Sequence, residues 1–457
     1  MGVRTMKEMK GKLLRPNFHV HAEEGWINDP NGLVYFNGRY HAFYQHYPND
    51  VHWGPMHWGH VVSDDLVHWE RLPIALYPGD EGDKNGCFSG SAIVWQDKLW
   101  VLYTGFTENE GGETIRQIQC LASSQDGVHF EKHGIVIGED NLPEAYCPWD
   151  FRDPKVWRKD GYFWCVVAVR AKGGRGRILL YRSEDLFSWT FINDVFGEDC
   201  PGMMIECPDY LDEKGLLLFG EQFSPQEGKT HLNVHTTRWC VGALNYQTGR
   251  FEEKNRGIVD YGFDFYAPQT FAGSDVMMGW LQMWDRNIPS EKYGFAGMLT
   301  LARKLEVVRE ELHQTPVIQG ETVKEAVDVK SIVDDAKIGV LRIQAKNLRS
   351  LRLALRKKGE SQAELALKDG EFIFDRSKVG EEITGVEKDE DSLNGIRRMP
   401  FSGRENVELT VVMDEFSVEI FENGKVLSST IYPDQDATEI CLTVDAQECV
   451  YRRESLK

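Results

Sequence analysis

The chain has 457 residues, 41% of them hydrophobic, and a formal net charge of -20 at pH 7. That length allows two or three domains with sizeable cores, and so acidic a surface repels phosphates and argues against nucleic acid as a partner. No apolar run of about 18 residues is present, so no membrane span is expected.

The first 25 residues carry Lys7, Lys10, Lys12 and Arg15 but no apolar core of a secretory signal. The nine cysteines form no C-x-x-C pair, and no N-x-[ST] sequon occurs. Together these features predict a cytoplasmic protein with reduced thiols.

In chain order, residues 1–15 read as an N-terminal extension. Trp26-Ile27-Asn28-Asp29-Pro30-Asn31-Gly32 follows, a cluster of turn formers with an acid at its centre. Beyond it, "LVYFNGRYHAFYQ" predicts two strands turning at Asn37-Gly38. "AIVWQDKLWVLYTG", "KVWRKDGYFWCVVAV" with a turn at Asp160-Gly161, and "LLLFGEQ" predict further strands.

Between these runs the chain repeats itself. Ser63-Asp64-Asp65-Leu66-Val67-His68-Trp69, Ser124-Gln125-Asp126-Gly127-Val128-His129-Phe130 and Ser183-Glu184-Asp185-Leu186-Phe187-Ser188-Trp189 share the pattern S-x-D-x-x-x-aromatic, and a looser copy ends at Phe251. The aromatic positions are spaced by 61, 59 and 62 residues. A period near 60 residues with about four strands is the size of a propeller blade with its loops. Units starting near residues 28, 88, 152, 206 and 266 predict a five-bladed β-propeller over 16–305.

All 13 tryptophans lie before residue 285, which marks a domain change. Residues 306–330 are charged and read as a short helix or linker. Alternation then returns in "IGVLRIQAKNLRSLRLALR", "EFIFD", "VELTVVMD" and "FSVEIFENGKVLSSTIYP", the last turning at Asn423-Gly424. The fold class is therefore all-β, a five-bladed propeller followed by a C-terminal β-sandwich over 331–457.

Each unit should begin with its innermost strand, beside the axis. Asn28-Asp29-Pro30, Arg152-Asp153-Pro154 and Glu206-Cys207-Pro208 open three units, each with a carboxylate one or two places before a proline. Proline pushes its predecessor toward extended geometry and is tolerated at a strand's first residue. The repeat therefore aims Asp29, Asp153 and Glu206 at one axial cavity. Packed carboxylates repel one another and raise at least one pKa, as glycoside hydrolysis requires of its acid and its nucleophile. Cys207 follows Glu206 directly, so strand alternation predicts its side chain on the opposite face, as a small buried residue. Trp26, Trp53, Phe88 and Trp284 offer aromatic faces to a sugar, and Asn28, Gln45, Ser89 and Arg152 offer hydrogen bonds to its hydroxyls.

These motifs resemble glycoside hydrolase family 32, the β-fructofuranosidases. W-I-N-D-P-N-G resembles the nucleophile motif, F-R-D-P the transition-state-stabiliser motif and E-C-P the acid/base motif. F-Y-Q-H-Y-P, H-W-G-H, C-F-S-G-S and F-Y-A-P-Q-T, the last holding Tyr266, also recur there. Leu301-Ala302-Arg303-Lys304-Leu305 departs from the family's usual Pro-Arg-Glu-Leu. The resemblance implies that Asp29 attacks C2 of the fructosyl unit, Glu206 is acid and base, and Asp153 holds fructose hydroxyls. It also implies retention, with about 5–5.5 Å between the Asp29 and Glu206 carboxyls. The implied substrate is a small sugar: sucrose, sucrose 6-phosphate or a fructooligosaccharide.

A fructan hydrolase or a fructosyltransferase would use the same three acids, and a non-catalytic sugar-binding propeller would keep the aromatics. A phosphate pocket would need Arg or Lys near the entrance, for which Arg39, Arg71 and Arg286 are candidates. His57 and His60 lack zinc-ligand spacing, so neither a metal nor another cofactor is expected. A homo-oligomer is left open.

Overall fold

The computed structural model describes residues 14–197, 202–226, 228–385 and 395–456. Most of the predicted N-terminal extension falls outside them.

Residues 25–316 form five sheets, four of four strands and one of five, antiparallel throughout except for one short parallel pair. Their first strands, Gly25–Phe36, Gly86–Trp95, Tyr146–Lys159, Met204–Leu211 and Tyr266–Thr270, lie close to the predicted unit starts. Each inner strand contacts the next, and the fifth contacts the first, so the sheets close a ring. Phe295–Ala296 leaves the fifth sheet and pairs in parallel with Gly25 and Trp26, which fastens the ring. Apolar side chains fill the gaps between blades. Phe151, Phe163, Val167 and Tyr181 of the third sheet, for example, share one cluster with Trp100, Leu102 and Leu121 of the second.

The sequence repeat is a hydrogen-bonded turn. In the first sheet Ser63 Oγ lies 3.1 Å from Asp65 Oδ1, which accepts the amides of Val67 and His68 at 2.9 and 2.8 Å. Ser124 with Asp126 and Ser183 with Asp185 repeat this arrangement. Such a turn satisfies backbone donors that would otherwise lack partners and links the third strand to the outermost one. In the looser fourth copy Asn245 takes the place of Ser, accepting the amides of Gln247 and Thr248 as Ser63 accepts those of Asp65 and Leu66. The three predicted hairpin turns carry the paired positive φ of a type I′ turn: 49° and 85° at Asn37-Gly38, 51° and 87° at Asp160-Gly161, 44° and 92° at Asn423-Gly424.

Residues 306–330 differ from the predicted helix or linker. Arg303–Val308 and Glu311–Pro316 are a hairpin that completes the fifth sheet, and Glu321–Val327 is already an edge strand of the sandwich. The sandwich consists of two six-stranded sheets. Leu341, Ile343, Leu353, Phe372, Phe374, Val411, Ile420 and Leu442 are among the residues of its core.

The departure at 301–305 sits on the seam between these parts. Arg303 is fully buried, 2.9 Å from Asp260 of the propeller and 2.7 Å from Glu419 of the sandwich, and it also donates to Ser428 at 2.7 Å. Nearby, Arg376 of the sandwich pairs with Asp264 at 2.6 Å, and its guanidinium lies 3.7 Å from the centre of the Phe263 ring.

Candidate active site

Every inner strand breaks register with its neighbour at the same level. The breaks fall between Ile27 and Pro30, Phe88 and Gly90, Arg152 and Lys155, Glu206 and Asp209, and Tyr266 and Gln269. A bulge re-aims the side chains beside it and releases the ladder locally. Here the five bulges turn Asn28-Asp29, Ser89, Asp153, Cys207 and Ala267 around one axis.

The geometry differs from the extended backbone predicted before proline. Asp153, Cys207 and Ala267 precede Pro154, Pro208 and Pro268 with φ of 65°, 49° and 50°. A left-handed residue with a Cβ costs roughly 1–2 kcal/mol, strain that a bulge imposes and a packed ring can hold. Cys207 is a second correction. The bulge breaks the alternation that would have turned it away, and its Sγ lies 3.5 Å from Asp29 Oδ2 and 3.6 Å from Asp153 Oδ2.

The three acids meet. Asp29 Oδ2 accepts a 2.6 Å hydrogen bond from Ser89 Oγ, and Asp29 Oδ1 accepts from Asn28 Nδ2 at 3.0 Å. Trp26 Nε1 donates to Asn28 Oδ1 at 2.7 Å, fixing the amide that faces Asp29. Asp153 Oδ2 accepts the Cys207 amide at 2.9 Å, and the Asp153 amide donates to Thr104 Oγ1 at 2.9 Å. Glu206 Oε1 accepts from Arg152 Nη2 at 2.8 Å and Nε at 3.2 Å, while Tyr266 OH donates to Oε2 at 2.7 Å. Arg152 is steadied from behind by Gln117 and Asp150, each at 3.2 Å.

Burial pushes the Asp29 carboxyl above its ordinary range against the hydrogen bonds from Ser89 and Asn28, and the Glu206 charge adds to the push. Burial raises Asp153 too; Arg152 opposes this, and the charges of Glu206 and Asp29 add to it. Burial and the three acids together hold the Cys207 thiol well above its usual value, so it stays protonated. The site is thus a largely buried cluster of carboxyls with one guanidinium, able to hold one ionised nucleophile beside a proton donor.

Of the residues expected to bind substrate, Trp26, Asn28, Ser89, Arg152 and Tyr266 join the acids directly or through one hydrogen bond. Trp284 stacks on Trp26 with ring centres 5.7 Å apart. Phe88 stacks on Phe106 at 4.4 Å, and Trp53 meets its edge at 5.9 Å with 46% of its surface exposed, as a rim residue. Gln45 is one layer back: it is buried and donates to the Cys87 carbonyl at 2.9 Å. Trp58 and Trp280 are fully buried core residues.

The candidate phosphate ligands are engaged elsewhere. Arg39 pairs with Asp64 and Glu70, Arg71 donates to the His21 carbonyl, and buried Arg286 pairs with Asp264. His57 and His60 bond within the first blade, to the Pro55 carbonyl and to His41. Among the described residues no group of three or more His, Cys, Asp or Glu is arranged to hold a metal ion, and no helix is long and apolar enough to cross a membrane.

Thr104, Gln117 and Asp150 were not foreseen. Asp150 stands two places before Arg152, but Thr104 and Gln117 lie on second and third strands of another blade, where nothing local in sequence marks them.

Comparison with known proteins agrees with this geometry. The profile of the Glycosyl hydrolases family 32 N-terminal domain matches residues 19–316, and that of the Glycosyl hydrolases family 32 C terminal matches 306–453. A sucrose-6-phosphate hydrolase of Escherichia coli is 39% identical over 454 residues, spanning 96% of this chain and 93% of the relative. The solved sucrose-6-phosphate hydrolase of Lactobacillus gasseri superposes with a TM-score of 0.89 at 26% identity, covering 98% of this chain and 95% of that one. A Bombyx mori GH32 β-fructofuranosidase superposes with a TM-score of 0.82 at 30% identity, covering 99% and 97%. With both profiles matched in order and nearly the whole chain aligned, the protein belongs to glycoside hydrolase family 32.

Proposed function

We propose that the protein is a retaining β-fructofuranosidase that releases the terminal fructosyl unit of sucrose or sucrose 6-phosphate. The observation that carries the reading is the convergence of Asp29, Asp153 and Glu206 at equivalent bulges, joined through Cys207. The names of the E. coli and L. gasseri relatives support the choice of sugar.

In the first step an Asp29 carboxylate oxygen attacks C2 of the fructosyl unit. The C2–O bond to the leaving sugar breaks, and the Glu206 proton passes to that oxygen. In the second step Glu206 takes a proton from water, the water oxygen bonds to C2, and the Asp29 ester is released. Asp153, turned toward the axis and anchored by the Cys207 amide, accepts hydrogen bonds from fructose hydroxyls as C2 becomes electron-poor. Tyr266 and Arg152 orient Glu206, and Ser89 and Asn28 orient Asp29. Eight free thiols among the described cysteines support a cytoplasmic location.

The test is Asp29→Asn assayed beside wild type on sucrose, sucrose 6-phosphate, kestose and inulin. An amide of the same shape cannot form the fructosyl ester, so turnover of all four should vanish while the fold persists. Wild-type-like activity in the purified variant would overturn the assignment. The wild-type ranking among the four sugars fixes the substrate, and product analysis at high sucrose separates hydrolysis from transfer.

A further inference from the structure

Behind the acids, the propeller axis is crossed by a buried ion pair. Lys155 Nζ lies 2.7 Å from Asp209 Oδ2 and donates to the Thr270 carbonyl and hydroxyl oxygens at 2.8 and 2.9 Å. Asp209 also accepts the Thr270 amide at 2.7 Å and its hydroxyl at 2.8 Å. Lys155, Thr270 and Asp209 are 5%, 2% and 1% exposed. On the far side Lys155 and Thr270 help to line a cavity of about 740 Å³ at the opposite mouth of the ring. The knot therefore separates that cavity from the acid cluster.

Its three members come from the third, fourth and fifth inner strands. They follow Asp153, Glu206 and Tyr266 by two, three and four residues. Those strands belong to separate sheets and share no backbone ladder with one another. Their own ladders are interrupted at the bulges, so the spacing between the acids is left to side chains. A buried ion pair adds little net stability over apolar packing, because desolvation offsets the attraction. Its bonds are nevertheless short and directional, which suits it to setting distances.

We propose that Lys155, Asp209 and Thr270 are positioning residues that hold the third, fourth and fifth inner strands at the spacing that lets Asp153, Glu206 and Tyr266 act together. The inference rests on the assignment of the three acids made above.

The test compares Thr270→Val with Thr270→Ser in the full chain. Valine keeps the shape of threonine but removes the hydroxyl shared by Asp209 and Lys155; serine keeps the hydroxyl. Displaced catalytic groups cost on the order of tenfold to a hundredfold, so kcat on sucrose should fall by that factor in Thr270→Val with KM little changed. Thr270→Ser should restore most of the loss. A second readout is the pH profile of kcat/KM. Lys155→Met leaves the Asp209 charge uncompensated and should move both limbs to higher pH. Asp209→Asn leaves the Lys155 charge uncompensated and should move them to lower pH. The charged and titratable groups facing the acids directly, Arg152, Tyr266 and Cys207, are unchanged in every variant. Should the charge variants not fold, the Thr270 pair decides alone. Wild-type kcat in folded Thr270→Val, or equal losses in the valine and serine variants, would overturn the proposal. Activity in Asp29→Asn would instead remove the acid assignment itself, so the two failures are distinguishable.

Discussion

His19 stands at the seam between propeller and sandwich with both ring nitrogens committed to carboxylates. Nδ1 lies 2.8 Å from Asp414 and Nε2 2.9 Å from Glu419, and none of the three side chains reaches solvent. A ring that donates from both nitrogens is the cation. Burial works against that charge, yet the hydrogen bonds and charges of Asp414 and Glu419 overcome it and raise the pKa from 6.5 to about 9. The folded value exceeds the unfolded one, so the contribution to stability is complete below pH 6.5 and is lost as pH rises through 9. At about 1.4 kcal/mol per pH unit, the gap makes the loss about 3 kcal/mol. Asp414 and Glu419 are held below their ordinary range, so their share is present above it, is lost only at acid pH, and does not change in this window. With an unfolding entropy of about 2.1 cal/mol/K per residue, 457 residues melting together correspond to about 1 kcal/mol/K. Calorimetry at matched ionic strength should therefore show Tm falling by about 3 °C between pH 6.5 and 9.5 on account of His19. His19→Gln, which cannot carry the charge, should melt lower at pH 6.5, with a gap to wild type that closes by the same amount at pH 9.5. A gap that stays constant across the window would refute the reasoning.

Other expectations concern the acids. As the proposed nucleophile, Asp29 would have to be ionised, and burial raises its pKa, so activity should be lost as pH falls through a value above the ordinary aspartate range. Ser89→Ala removes the 2.6 Å bond that favours the ionised form and should raise the acid limb of kcat/KM by about one pH unit, read by titration. Glu206→Gln should slow sucrose far more than an aryl fructoside whose leaving group needs no proton, and azide should partly restore its second step; equal losses on both substrates would exclude Glu206 as the acid. At Cys207, serine substitutes a stronger donor to Asp29 and Asp153 and alanine removes it, so the two variants should move the acid limb in opposite directions with little change in melting temperature. Limbs that coincide with wild type in both would leave Cys207 as packing alone.

Features set by neighbours in sequence were legible before the fold was known. The S-x-D turn is made within a few residues, as are the Asn-Gly hairpins, so each leaves a local signature, and repetition near 60 residues exposes the ring. Because the inner strands are equivalent, three acids placed alike before prolines are brought to one axis by repetition itself. The edge strands at 311–316 and 321–327 were not legible: the first buries only Leu312 and Gln314, and the second buries no side chain and takes its pairing from the distant strand 448–455. Cys207 was misplaced because a bulge depends on the register of the adjoining strand, and strand alternation carries no sign of it. The Arg303 cluster and the Lys155–Asp209–Thr270 knot join residues more than 40 positions apart, with spacings that no local pattern repeats. The chain by itself determined which groups could do the chemistry; closure of the ring decided how near they stand and what holds them there, since distances between strands of separate sheets are set by packing and buried side-chain bonds.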